Sequence, residues 1–103
     1  MMVARWSIDA KFGYKQNVIE AMQRWMRDIG PEAGFSVERT RLLTGSIGAL
    51  EATVQSDIVI TDLAELNQAW DKLANIAAHK QWSKDLEPYV VSGTSRWDIY
   101  RLL

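Results

Sequence analysis

Hydrophobic and polar residues alternate with a period of two over residues 3–10, which is the pattern of a strand with one buried face. Over residues 14–29 the apolar residues instead recur every three or four positions, which predicts a helix. Gly30 and Pro31 follow, and we expect the glycine to adopt a left-handed conformation and the proline to prevent the helix from continuing. The chain therefore opens with a strand and a helix.

Two further strands are predicted at residues 35–43 and 50–60. The connection over residues 44–48 contains two glycines, which permit the positive φ angles of a tight hairpin. In the second of these strands Leu50 and Val54 share one face. The alternation becomes irregular at Ser56-Asp57, where a bulge would let residues 58–60 continue the strand. The phase of residues 38–41 stays open.

A second helix is predicted to begin after Asp62, whose carboxylate can cap the free amides of a helix start together with Glu65. Apolar residues then recur at alternating three- and four-residue intervals, at Leu63, Leu66, Trp70, Leu73 and Ala77. A short helix over residues 79–86 and a final strand over residues 96–103 complete the predicted elements.

The predicted order is thus strand, helix, strand, strand, helix, strand. Such an order makes the ferredoxin-like arrangement, an α+β fold in which two helices cover one face of a four-stranded antiparallel sheet. The helix-facing positions would be Trp6, Ile8, Leu50, Val54, Trp97 and Ile99, and the opposite face would carry Arg5, Ser7, Asp9, Glu51, Thr53, Gln55, Arg96, Asp98 and Tyr100. That opposite face must be covered by water, a ligand or a second subunit.

The length of 103 residues and the 48% of hydrophobic residues fit one domain over residues 1–103 with a single core. A domain of this size buries only about 60–70% of the surface of its unfolded chain, so association into a homodimer would add stability. The chain has no cysteine, which excludes disulfides and thiolate metal sites. No apolar run has the length of a signal peptide or of a membrane span. We therefore expect a soluble cytoplasmic protein without a membrane partner.

The 12 basic and 13 acidic residues nearly cancel, so no general attraction to nucleic acids or anionic lipids is expected. An RNA-recognition module has the same order of elements, but it stacks bases on aromatic residues of its first and third strands. Residues 50–60 contain no aromatic residue, and Trp6 is predicted to face the helices. Nucleic acid is therefore not an expected partner.

The order of elements and the segment AHKQWSKDLEPY, residues 78–89, resemble the dimeric α/β-barrel superfamily. This group includes cofactor-independent monooxygenases, haem-degrading enzymes, muconolactone isomerase-like proteins and NIPSNAP-type proteins. The resemblance implies that the sheets of two subunits face each other and form a barrel that can hold a small aromatic or apolar ligand. It also implies a catalytic His or Tyr near a cavity between helices and sheet, for which His79 and Tyr100 match by type and segment. Haem-degrading members carry an Asn on the first strand where this chain has Ser7, which disfavours haem degradation.

His79 is the sole histidine, and an imidazole of ordinary pKa suits general base catalysis or haem ligation near neutral pH. The competing interpretation, a capping or solvated histidine at a helix junction, is favoured because no partner is identifiable. One histidine and no cysteine do not make a metal site. We therefore expect no metal and no cofactor.

Arg5 and Arg96 are candidate ligand-binding residues because a guanidinium fork suits a carboxylate or an enolate. Cross-strand or intersubunit ion pairs are the favoured alternative, since both signs of charge share the predicted sheet face. Four of the five tryptophans fall on apolar stripes and are interpreted as core residues. Trp82, in the short helix, is a candidate for the mouth of a ligand pocket, although a place at the edge of the core is favoured.

These features lead to two functional hypotheses. The first is a homodimer that binds a small apolar or aromatic molecule and acts as a monooxygenase- or isomerase-like enzyme, in which His79 moves a proton and Arg96 stabilises an oxyanion. The second is a non-catalytic homodimer that serves as an interaction or assembly module, in which the same charges form structural pairs.

Overall fold

The computed structural model, which describes residues 1–103, contains one antiparallel sheet with the strand order β2-β3-β1-β4. The elements are β1 (Met2–Asp9), α1 (Lys15–Asp28), β2 (Thr40–Thr44), β3 (Thr53–Ile60), α2 (Leu63–Leu73), α3 (Ala77–Leu86) and β4 (Arg96–Arg101), with short 3₁₀ turns at Gly30–Ala33, Val37–Arg39 and Glu87–Tyr89. This order and topology confirm the predicted α+β ferredoxin-like fold.

The core lies between the helices and one face of the sheet. Its largest fully buried side chains come from the sheet, from α1 and α2, and from the connection after α1: Phe35, Ile58, Ile60, Leu66, Val18 and Val54. None of the helices is both long enough and apolar enough to cross a lipid bilayer.

Strand β3 pairs with β1 without interruption, from Met2 opposite Ile60 to Asp9 opposite Thr53. The strand therefore contains no bulge. Because side chains of a strand alternate between the two faces, the helix-facing side of β3 includes a polar residue, Ser56. This residue lies opposite Trp6 of β1 and Leu42 of β2.

The connection between β2 and β3 is longer than predicted. Strand β3 begins at Thr53, and the Thr53 amide donates a hydrogen bond to the carbonyl of Leu50 at 3.2 Å, which closes a turn. Leu50 lies in this turn with 72% of its surface exposed. The prediction that Leu50 faces the helices is therefore wrong, because Leu50 lies in the connection between β2 and β3 and not in the sheet.

Strand β2 is shorter than predicted because the segment before it is anchored in the core. Phe35 is 1% exposed and its ring packs against Trp25, with a centroid distance of 6.1 Å. Arg39 donates hydrogen bonds to the Gly34 carbonyl at 2.6 Å and to Glu65 at 3.0 Å. These contacts hold residues 35–39 away from the sheet, and pairing begins only at residue 40.

The end of α1 also differs from the prediction. Gly30 does not have a positive φ angle; it begins a 3₁₀ turn, and the left-handed residue is Gly34, with φ 98°. Gly30 is instead required by a close approach, because a Cβ at this position would lie 2.9 Å from Cζ3 of Trp25. The glycine thus leaves room for the indole ring of Trp25 against the chain.

The start of α2 matches its prediction. Asp62 accepts a hydrogen bond from the Glu65 amide at 2.9 Å, and the Glu65 carboxylate accepts one from the Thr61 amide at 3.0 Å. The following helix, α3, carries Trp82 and Leu86 on one buried face, as predicted. Trp82 joins α3 to α1, because its indole N–H donates to the Ala21 carbonyl at 2.7 Å.

A candidate ligand-binding cavity

A cavity of about 420 Å³ lies between the sheet and the three helices. This volume falls in the range of about 300–1,000 Å³ that is typical of small-molecule sites. All five tryptophans of the chain contribute to the lining: Trp6, Trp25, Trp70, Trp82 and Trp97. The remaining lining residues are Met22, Leu42, Ser56, Ile58, Leu73, Ala74, His79, Ser83 and Ser95, so the lining contains no ionised side chain.

The sheet forms one side of the cavity and the helices form the other. Trp6 and Trp97 are directly paired across β1 and β4, so both side chains lie on the helix-facing side. Trp70 of α2 approaches Trp97 edge-on, with ring centroids 5.4 Å apart. Trp70 is 36% and Trp97 37% exposed, so this pair forms a solvent-exposed rim of the cavity.

The inner tryptophans are held in fixed orientations. The ring of Trp82 lies 6.3 Å from that of Trp6 and 6.2 Å from that of Trp25, in tilted arrangements. The indole N–H of Trp6 donates to the Ser95 hydroxyl at 2.8 Å. The indole N–H groups of Trp6, Trp25 and Trp82 are all bonded within the protein, so these side chains offer a ligand their apolar ring faces.

His79 is bound to one of these tryptophans. The indole N–H of Trp25 donates to Nδ1 of His79 at 3.0 Å, and the imidazole lies nearly parallel to the ring of Trp82, at 16°. Burial lowers the pKa of His79 below its usual value of 6.5. A neutral imidazole whose Nδ1 accepts a hydrogen bond carries its proton on Nε2. The group that His79 can offer a ligand is therefore an N–H donor.

Ser56 is the second polar group of interest. The residue is 5% exposed, and its hydroxyl oxygen is the one buried side-chain polar atom of the chain without a hydrogen-bond partner. It lies on β3, one of the two inner strands of the sheet, and contributes to the cavity wall. A hydroxyl therefore occurs in an otherwise apolar part of the sheet.

The other candidate residues from the sequence lie on the opposite face of the sheet. Arg5 binds Asp57 through two hydrogen bonds, at 2.7 and 2.9 Å, and its guanidinium lies 5.4 Å from the ring centroid of Tyr100. Arg96 binds Asp98 at 2.9 Å. The structure thus brings His79 and Trp82 together at the cavity and places Arg5, Arg96 and Tyr100 behind the sheet.

Asp57 organises the charges of this opposite face. Its side chain is 3% exposed and also contacts the more exposed Arg41 at 3.3 Å. The hydrogen bonds from Arg5 are the main cause of a lowered pKa for Asp57, and the charges of the two arginines add to the effect. The carboxylate therefore remains ionised at neutral pH and binds one arginine on each of the two strands that flank β3.

Sequence reasoning overlooked Ser56 and treated four of the tryptophans as core. Trp6 and Trp25 do pack against the core, whereas Trp70 and Trp97 are more than one third exposed. The available signal for Ser56 was a polar residue in phase with Val54 and Ile58.

No protein-family model matches this sequence, and no curated protein matches it significantly. Similarity is found among solved structures. A NIPSNAP family protein from Agrobacterium tumefaciens superposes with a TM-score of 0.80 at 16% identity, over 99% of this chain and 92% of the other. The chain has the ferredoxin-like fold of NIPSNAP proteins. A NIPSNAP domain protein from Burkholderia xenovorans gives a TM-score of 0.69 at 15% identity, over 100% of this chain and 95% of the other.

The same fold occurs in an antibiotic biosynthesis monooxygenase-like protein from Nitrosomonas europaea. Its TM-score is 0.68 at 11% identity, over 100% of this chain and 99% of the other. The fold resemblance to NIPSNAP and monooxygenase-like proteins that the sequence indicated is therefore confirmed.

Proposed function

We propose that this NIPSNAP-like protein binds a small, uncharged, aromatic or largely apolar molecule in the cavity between its sheet and helices. The observation that carries the proposal is the convergence of all five tryptophans on one cavity without an ionised side chain. Aromatic walls offer a planar ligand a large contact area with little loss of side-chain freedom. An ionised ligand would lose its hydration without gaining an opposite charge.

His79 supplies a polar contact in this site. Because Trp25 occupies the lone pair of Nδ1, the imidazole would donate the N–H of Nε2 to a carbonyl or hydroxyl oxygen of the ligand. In a monooxygenase- or isomerase-like reaction, such a donor would stabilise negative charge that develops on an enolate oxygen. We therefore assign His79 the role of electrophilic hydrogen-bond donor.

The opposite sheet face is proposed to pair with that of a second copy. This face carries three basic residues, Arg5, Arg41 and Arg96, and three acidic residues, Asp9, Asp57 and Asp98, so its charges are balanced. A twofold interface brings the same surface of each subunit together, which requires a self-complementary face. Tyr100 and the three arginines would then belong to the dimer interface.

Ligand binding is tested by a thermal-shift and tryptophan-fluorescence screen with aromatic hydrocarbons, phenols, quinones, lactones and aromatic acids. Any ligand that prefers the folded state raises the melting temperature. Saturable shifts are expected for uncharged compounds, and His79→Ala should weaken the binding of oxygen-bearing ligands about 2- to 12-fold, the loss of one hydrogen bond. The matched control is Lys80→Ala, an exposed residue next to His79 on α3.

The absence of any saturable shift across the panel would refute the ligand-binding proposal. Sedimentation equilibrium tests the dimer separately: the expected mass is twice that of the chain. Arg96→Glu should weaken the association by placing like charges on the interface, whereas Lys72→Glu, on the exposed side of α2, should not. A dimer without ligand binding would favour the alternative function, an interaction or assembly module.

A further inference from the structure

We propose that the hydroxyl of Ser56 anchors the ligand of this cavity and selects uncharged aromatic compounds that carry a hydroxyl or carbonyl oxygen. This inference rests on the proposed function and specifies the chemistry of the ligand. It assigns the specificity to a residue in the middle of the sheet, on the side of the cavity opposite the helices.

The position of Ser56 is set by the register of three strands. It faces Trp6 on β1 and Leu42 on β2, and both of these neighbours also line the cavity. Its neighbours in phase along β3, Val54 and Ile58, are each 1% exposed. Ser56 is therefore a single polar group at the centre of an apolar surface.

The hydroxyl of Ser56 has no internal role that would explain it. A buried polar group without a partner destabilises the folded state, and an apolar side chain of similar size would avoid this penalty. Among the buried side-chain polar atoms, only the Ser56 hydroxyl lacks a partner; the indole N–H of the buried Trp82, for example, is bonded to the Ala21 carbonyl. The Ser56 hydroxyl is thus free to bond a polar atom of a molecule in the cavity.

The chemistry of the lining restricts that atom. A serine hydroxyl both donates and accepts a hydrogen bond, so it can serve a ligand hydroxyl or carbonyl. A carboxylate is disfavoured, since no arginine or lysine lines the cavity and burial of an unpaired anion is costly. The ligand class is therefore a neutral aromatic alcohol, phenol or ketone.

Isothermal titration calorimetry with naphthalene, 2-naphthol and 2-naphthoate at pH 7 tests this inference. The three probes share one ring system and differ only in the polar group. The wild-type protein should bind 2-naphthol about 2- to 12-fold more tightly than naphthalene, as expected for one additional hydrogen bond, and should bind 2-naphthoate most weakly.

The Ser56→Ala variant should reduce the preference for 2-naphthol about 2- to 12-fold while binding naphthalene at least as tightly as the wild type. Its melting temperature should not fall, because the substitution removes an unpartnered hydroxyl. Ser46→Ala, in the exposed β2-β3 connection, is the control and should retain the preference.

Two negative outcomes are distinguishable. If the wild type and Ser56→Ala bind naphthalene and 2-naphthol with the same ratio of affinities, Ser56 is not the anchor, although the cavity still binds ligands. If none of the three probes binds the wild type saturably, the proposed function is overturned and this inference falls with it.

Discussion

The hydrogen bond between Trp25 and His79 predicts how the only histidine of the chain behaves. Trp25→Phe keeps an aromatic ring beside Phe35 and Trp82 but removes the N–H that binds Nδ1 at 3.0 Å. A hydrogen bond to the neutral form of a histidine favours that form. Its loss should therefore raise the pKa of His79 towards the usual value.

The magnitude follows from the strength of one neutral hydrogen bond, about 0.5–1.5 kcal/mol net. At a fixed pH near the midpoint, the ratio of protonated to neutral imidazole should increase about 2- to 12-fold in Trp25→Phe. Long-range ¹H–¹⁵N NMR spectra report both the tautomer and the titration. Because the chain contains one histidine, the imidazole signals need no further assignment.

Trp82→Phe is the matched control. It replaces the indole that stacks on His79 by a smaller phenyl ring and removes a hydrogen bond to a backbone carbonyl. It leaves the Trp25 donor to Nδ1 of His79 in place. The wild type should show the proton on Nε2. A proton on Nδ1 in the wild type, or an unchanged or lowered pKa of His79 in Trp25→Phe, would contradict the proposed role of His79 as an N–H donor.

Three further predictions concern stability. Asp57→Asn should lower the free energy of unfolding by about 2–4 kcal/mol in urea titrations, because it leaves a partly buried guanidinium without its charge partner. Asp98→Asn changes an exposed pair and should lower it by less than about 1 kcal/mol. Equal effects of the two substitutions would show that burial of the pair is unimportant. Burial lowers the pKa of His79 below 6.5, so the unfolded chain binds the proton more readily than the folded protein does. The free energy of unfolding should therefore be highest above pH 6.5 and fall as the pH decreases towards the folded-state pKa. A curve of the same slope in His79→Gln would assign the effect to other groups. Gly30→Ala should destabilise the protein by about 1–3 kcal/mol in thermal unfolding, because its Cβ would press on the ring of Trp25, and an unchanged melting temperature would mean that the indole is free to move.

The topology was predictable because its signals are local. The period-two alternation of residues 3–10 and the cap formed by Asp62 and Glu65 each depend on a few neighbouring residues, and both were found as expected. Predictions failed where a distant contact decides the local structure. Phe35, for example, belongs to an apolar stretch that resembles a strand, but its burial against Trp25 removes it from the sheet.

The cavity was not predictable from the same signals. A tryptophan on a helix-facing position has the same sequence pattern whether it fills the core or lines a space, because the volume between elements depends on all of their side chains together. Ser56 did leave a trace in the sequence, a polar residue in phase with buried neighbours. In the sequence such a residue looks the same as an irregularity of register, since only the strand pairing distinguishes a bulge from a buried hydroxyl.

Ser56 and Asp57 are consecutive residues of β3 with opposite orientations. Ser56 lines the cavity, and Asp57 binds two arginines on the opposite face of the sheet. A single peptide unit therefore joins the cavity wall to the arginine cluster on the opposite face. Because the side chains of a strand alternate between the two faces, a slip of β3 by one residue would turn Asp57 towards the helices and Ser56 towards the arginines. The single register of β1 and β3 therefore fixes both surfaces at once.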